Sequence, residues 1–115
     1  EVDVSRIRGN VSDQNKRFAV NIFLHFIGAR EENFGAQVGR RLKLVEMNVP
    51  SRNGKATEAK TVFEITVTKD MCNTYGTLHG ACTTYIVDPC SVSALVVLGV
   101  ALGVDGTGVS QSMNL

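Results

Sequence analysis

Tryptophan is absent from this chain, and proline and tyrosine occur only twice each. A proline-rich linker and a core built on large aromatics are therefore excluded, and the interior falls to aliphatic side chains and five Phe. Cysteine occurs three times, at Cys72, Cys82 and Cys90, with no CxxC spacing. An odd number so placed argues against a disulfide framework and for a reducing compartment. Cys72, His79 and Cys82 could share a face toward zinc, but a fourth ligand is missing, so no metal is expected. An excess of one charge is lacking too. Twelve Lys and Arg against eleven Asp and Glu leave a net charge of +1, too little field to draw the chain to nucleic acid or anionic lipid. The uncharged run at residues 89–104 is shorter than the roughly 20 apolar residues of a membrane span and is broken by Gly and Ser. It reads as part of a buried core helix, with no membrane partner expected.

What is present suits one soluble domain: 115 residues, 43% hydrophobic and 20% charged. Ser12 and Asp13 offer cap oxygens ahead of "QNKRFAVNIFLHFIGAR", where Phe18, Ile22 and Phe26 recur every fourth residue beside Ala19, Phe23 and Ile27. That spacing predicts an amphipathic helix. His25 lies within it as an ordinary helix histidine. Phe34 and Val38 support one further turn.

From Arg41 the pattern changes. Leu42 and Leu44 occupy one face and Val45, Met47 and Val49 the other, a switch that a β-bulge or a strand covered on both sides explains. Pro50 ends this strand, Asn53-Gly54 is the expected reversal, and "KTVFEITVTK" alternates with Phe63, Ile65 and Val67 inward. The two strands read as an antiparallel hairpin. A helix follows from about His79 to Leu98, apolar around its circumference and hence expected to be enclosed. Pro89 interrupts it at a cost of about 3 kcal/mol unless the surroundings suit a bend. The final "VSQSMNL" reads as the start of another strand.

Between hairpin and helix lies "NTYGTLHGACTTYIVD", residues 73–88. Together with "GVSQSMNL" it resembles the signature of the hotdog-fold acyl-CoA thioesterases of the 4-hydroxybenzoyl-CoA and phenylacetate-degradation type, particularly their eukaryotic thioesterase-superfamily-member branch. The resemblance covers residues 42–115, and "N-x-x-G-T-L-H-G" is its most specific part. It implies an α+β hotdog fold, an antiparallel sheet wrapped around a central helix, with residues 1–40 a helical extension and 41–115 the thioesterase-like domain. About three later strands of the family's sheet are absent from this chain, so the domain is expected to be incomplete.

By the same resemblance the activity is hydrolysis of acyl-CoA thioesters, in a homodimer or homotetramer, without a cofactor, in the cytoplasm or mitochondria. Gly80 matches the backbone oxyanion donor and Asn73 the asparagine that positions carbonyl or water. Asp88 matches the general base or nucleophile, which reaches the other subunit's substrate. Ser110 matches a water-orienting serine, and His79 a support for the loop. Gly80 would also open the long helix, where N–H groups lack intrahelical partners and the dipole is positive. An aspartate inside an apolar helix has little structural reason to be there. Where many relatives read "HGG", this chain has Ala81. The alternative is a catalytically silent or truncated module that binds an acyl thioester or a protein partner.

Overall fold

The computed structural model describes residues 2–29 and 31–115. Helix α1 (Asp13–Phe26) starts where the cap residues predict: Ser12 Oγ accepts from the Asn15 N–H at 3.2 Å. Its inner face is Ala19 and Phe23, continued by Ile27 beyond its end, whereas Phe18 and Phe26 are exposed. Of the two neighbouring apolar rows, the one with the small Ala19 turns inward, and the large Phe18 and Phe26 border it. A short helix, α2 (Ala36–Gly39), supplies the extra turn.

Strand β1 (Lys43–Asn48) pairs antiparallel with β4 (Lys60–Glu64), and the register slips between Leu44 and Glu46, leaving Val45 as the extra residue of a bulge. The bulge turns Met47 fully into the core after Leu44 has faced Phe63 across the sheet. Between them, β2 (Ser51–Arg52) and β3 (Lys55–Ala56) close a tight ribbon. Asn53 and Gly54 have φ of 53° and 75°. Two consecutive positive φ values make the turn that matches the twist of paired strands. Val67, expected inward, lies beyond β4 and is exposed, because the strand ends at Glu64.

The N-terminal segment joins the same sheet. The Arg8 N–H donates to the Val45 carbonyl and the Arg8 carbonyl accepts from Met47, and the Asn10 side chain exchanges two bonds with the Val49 backbone. Val4, Ile7, Ala19, Met47 and Val97 thus form one cluster drawn from residues before and after position 40. Lys16, buried beside them, donates from Nζ to the Ile7 carbonyl at 2.6 Å. A second cluster gathers Phe23, Ile27 and Leu42 with Phe63, Ile86 and Cys90 packed around it. Phe23 and Phe63 meet at 4.8 Å between ring centres, joining helix to sheet.

Helix α3 (Gly80–Leu102) ends four residues beyond the Leu98 that its sequence pattern suggests. It ends in a Schellman-type cap, with Gly103 left-handed at φ 72° and the Val104 N–H donating to the Gly99 carbonyl at 2.9 Å. Helix α1 and strands β3 and β4 pack on it, burying Ser93, Val96, Val97 and Gly99. The expected enclosure is not formed by this chain: Leu95 is 55% exposed and Leu102 is exposed as well. A two-stranded sheet is too narrow to wrap a helix of 23 residues. Among the described residues α3 is the one helix long and apolar enough, by length and composition, to cross a membrane.

Residues 105–115 form no strand, which corrects the expectation for "VSQSMNL". A strand needs a partner ladder, and this segment instead returns along α3. A Cβ at Gly106 would lie 2.1 Å from the Leu95 carbonyl oxygen, so only glycine fits so close to the helix backbone. The architecture is α+β, with a small antiparallel sheet and one long helix.

Candidate active site

The motif loop is held at both ends. Met71, almost fully buried, anchors it: its carbonyl accepts from the His79 N–H at 2.8 Å, and Cys72 bridges Leu78. Just upstream, Arg41 Nη1 and Nη2 hold the two Asp70 oxygens at 3.3 and 2.9 Å, while the Thr68 hydroxyl donates to Asp70 Oδ1. The Thr68 hydrogen bond, followed by that of Arg41, holds the Asp70 carboxyl below its ordinary value.

Within the loop, Asn73 works on its own neighbours. Its Oδ1 accepts from the Tyr75 and Thr77 N–H groups at 2.9 and 3.2 Å, and its Nδ2 lies 2.9 Å from Thr77 Oγ1. Such an Asx-turn shapes the loop around Gly76, whose φ of 81° requires glycine's freedom. His79 caps α3: its Nδ1 accepts from the Ala81 N–H at 3.0 Å. Capping by His79 settles the ring's orientation and satisfies the second N–H of the helix. The first, on Gly80, has no protein partner among the described residues, and a Cβ built there would meet nothing within 4 Å. An unpaired donor at the positive end of a long helix, open to solvent, can bind a carbonyl oxygen that gains negative charge.

Asp88 and Ser110 come together. Ser110 Oγ donates to Asp88 Oδ1 at 2.5 Å, although 22 residues separate them. The returning segment makes this possible by bringing residue 110 back along α3. Both side chains are exposed on an open groove of about 690 Å³, whose apolar lining includes Phe26, Phe34, Tyr85 and Val92.

The expected site residues therefore form two groups. Asn73, His79 and Gly80 make the loop and its helix start, and Asp88 with Ser110 lies two turns down α3. At 1.5 Å per residue, the eight residues from Gly80 to Asp88 span about 12 Å. One carbonyl cannot touch both within a single copy. Among the described residues no three His, Cys, Asp or Glu converge to hold a metal. The candidate zinc set does not form, since Cys72 Sγ turns to the Thr68 carbonyl and His79 Nδ1 is taken by Ala81.

Tyr85 is a site residue that sequence reasoning passed over. Its ring lies against Gly35 and Gly39, where a Cβ would come within 2.3 and 2.7 Å of it, and Phe34 meets it edge-on at 5.9 Å. Its buried hydroxyl has no hydrogen-bond partner among the described residues, and burial, with Cys90 and Asp88 nearby, raises its pKa. The trace in the sequence is "GAQVG", whose glycines just before α2 and at its end leave the room that the ring fills. No family model, curated protein or solved structure matches this chain.

Proposed function

We propose that the chain forms the catalytic part of a hotdog-fold acyl-CoA thioesterase acting within the cell as a homodimer or homotetramer. The observation that carries this reading is the Ser110–Asp88 hydrogen bond, which joins two of the residues that the resemblance had singled out separately. In the reaction, Asp88 accepts a proton from water as the water oxygen attacks the thioester carbonyl carbon. The Gly80 N–H of a second copy binds the resulting oxyanion. Collapse of the tetrahedral intermediate breaks the C–S bond, and the proton held by Asp88 passes to the departing thiolate. Ser110, bonded to one Asp88 oxygen, leaves the other free for water. Water, carbonyl and carboxylate complete this chemistry without a redox cofactor.

The separation of about 12 Å between Gly80 and Asp88 along α3 supports a site built from two copies. A binding-only module is the second reading, favoured by Asn73, whose carbonyl oxygen is already committed to its own loop. Thiol release from a panel of acyl-CoAs tests both. Turnover by the wild-type chain that falls about 100-fold or more in Asp88→Asn supports hydrolysis. No turnover with retained acyl-CoA binding supports the silent module.

A further inference from the structure

The groove beside Asp88 has a wall that the motif does not account for. Phe26, at the end of α1, and Phe34, ahead of α2, both lie before residue 42 and so outside the stretch that carries the resemblance. Phe34 is 88% exposed and Phe26 47%. A phenyl ring left in water forgoes a large burial gain. Phe34 is not loose, for it rests edge-on against Tyr85, and Tyr85 is seated on Gly35 and Gly39. A seated aromatic with an exposed aromatic leaning on it is a pre-formed surface rather than a collapsed one.

The groove is divided by chemistry. Thr84, Asp88 and Ser110 supply polar atoms, and beyond them Phe26, Phe34, Tyr85, Val92, Val109 and Met113 are apolar. Asp88 is the one charged side chain among its described lining residues. About 690 Å³ falls within the range of roughly 300–1,000 Å³ of small-molecule sites. The occupant that fits has a polar, electrophilic end at Asp88 and an uncharged apolar body of several carbons. A second carboxylate on that body would meet Asp88 with no cation among the described lining residues, Arg40 acting on Tyr85 from outside the lining.

We propose that Phe26 and Phe34 are specificity-determining residues, forming with Tyr85 the wall that receives the acyl group and selecting neutral medium-length acyl chains over acetyl and over acyl groups ending in a carboxylate. This rests on the thioesterase reading for the reaction, and on the groove alone for the binding. The hydrocarbon chain lies along the two phenyl rings, so each added methylene removes apolar surface from water until the wall ends.

The test has two arms. Hydrolysis of acetyl-, decanoyl- and succinyl-CoA is compared for the wild type, Phe26→Ala, Phe34→Ala and Phe34→Leu. Calorimetry then measures binding of the non-hydrolysable thioethers S-methyl-CoA and S-decyl-CoA to the same proteins. The wild type is expected to prefer decanoyl over acetyl and over succinyl in kcat/KM, and S-decyl over S-methyl in affinity. Each alanine variant should lower both decyl preferences about tenfold, in the range that a few apolar contacts provide, with Phe34→Leu restoring part. Phe34 is so exposed that its loss leaves the fold intact, so its variant reads the groove directly. Preferences unchanged in both alanine variants overturn the proposal even if acyl-CoA is hydrolysed. A Phe-dependent preference for S-decyl-CoA with no turnover of any acyl-CoA keeps the acyl groove and overturns the hydrolytic reading instead.

Discussion

Ser110 donates its hydroxyl hydrogen to Asp88 across 2.5 Å, and both side chains remain exposed to the groove. A hydroxyl that binds one carboxylate oxygen fixes the plane of the carboxylate and so the direction in which the other oxygen accepts. Under the thioesterase reading, Asp88→Asn should lower single-turnover hydrolysis roughly 100-fold or more. Ser110→Ala should have a smaller effect on the same step, because the base survives and only its aim is lost. Rapid-quench measurement of acid release from one acyl-CoA distinguishes them. Equal loss in both variants would make Ser110 a participant rather than an aid to orientation.

Gly80 separates chemistry from folding. The space at its Cβ position is open, so Gly80→Val should fold with little change in thermal midpoint. Under the thioesterase reading the same side chain would stand where the carbonyl approaches the N–H, and turnover should fall on the order of 100-fold, as when an oxyanion donor is removed. Thermal melts beside steady-state rates check this. A Gly80→Val protein with wild-type turnover would move the oxyanion site elsewhere.

The proposed two-copy arrangement predicts rescue. An Asp88→Asn chain and a Gly80→Val chain, each about 100-fold slower alone, should regain activity when mixed, since one of the two sites in a heterodimer combines intact Gly80 with intact Asp88. Differently tagged chains purified in tandem provide the heterodimer. Verified heterodimers without rescue would mean that each site is built within one subunit.

The Arg41–Asp70 pair gives a pH signature. Thr68 and then Arg41 hold the Asp70 carboxyl below its ordinary 3.8, so the folded value lies under the unfolded one. The contribution is then complete above the ordinary value and is lost as pH falls through the lowered one. Asp70→Asn should therefore make the loop at residues 68–79 exchange amide hydrogens faster at pH 6. The gap to wild type should close as pH drops below 3.8. A gap that persists at lower pH would assign the effect to shape rather than charge.

Burial pushes the Cys90 thiol up to about 11, from an ordinary 9.0. At pH 8 that leaves about 100-fold less thiolate than an unperturbed cysteine carries, and thiolate is the reactive form. Iodoacetamide at pH 8 should label Cys90 more slowly in the native chain than in the unfolded one, which peptide mass spectrometry in increasing urea would show. Rapid labelling in the native protein would contradict the packing of Cys90 against Phe23, Ile27 and Leu42.

Local chemistry made much of the fold readable. Ser12 as a cap, the face switch at Val45, and Asn53-Gly54 each describe a constraint satisfied within a few residues, and each stands where expected. The faces were harder. Phe18 and Ala19 belong to adjacent rows of α1, and only the sheet and α3 decide which row turns inward. The segment after Gly103 was least readable, because a strand is defined by its partner and "VSQSMNL" carries no sign that α3 would receive it. For the site, no spacing rule connects Asp88 to Ser110, and the resemblance alone brought them into one list of candidates. The Phe34–Tyr85 wall lay outside that resemblance, visible only as two glycines four residues apart.

The contact between Gly106 and the Leu95 carbonyl acts as a ruler for the chemistry. From that point the chain has four residues in which to arrive at Ser110, while α3 counts back seven to Asp88. At about 3.3 Å per residue, four residues can reach about 13 Å, enough to cover the roughly 10.5 Å that seven helical residues span at 1.5 Å each. A methyl group at residue 106 would lift the chain off the helix and spoil the measurement, drawing Ser110 away from Asp88 with neither residue altered. Under the thioesterase reading, the alignment of the base is thus set four residues upstream of the serine, by a side chain that is not there.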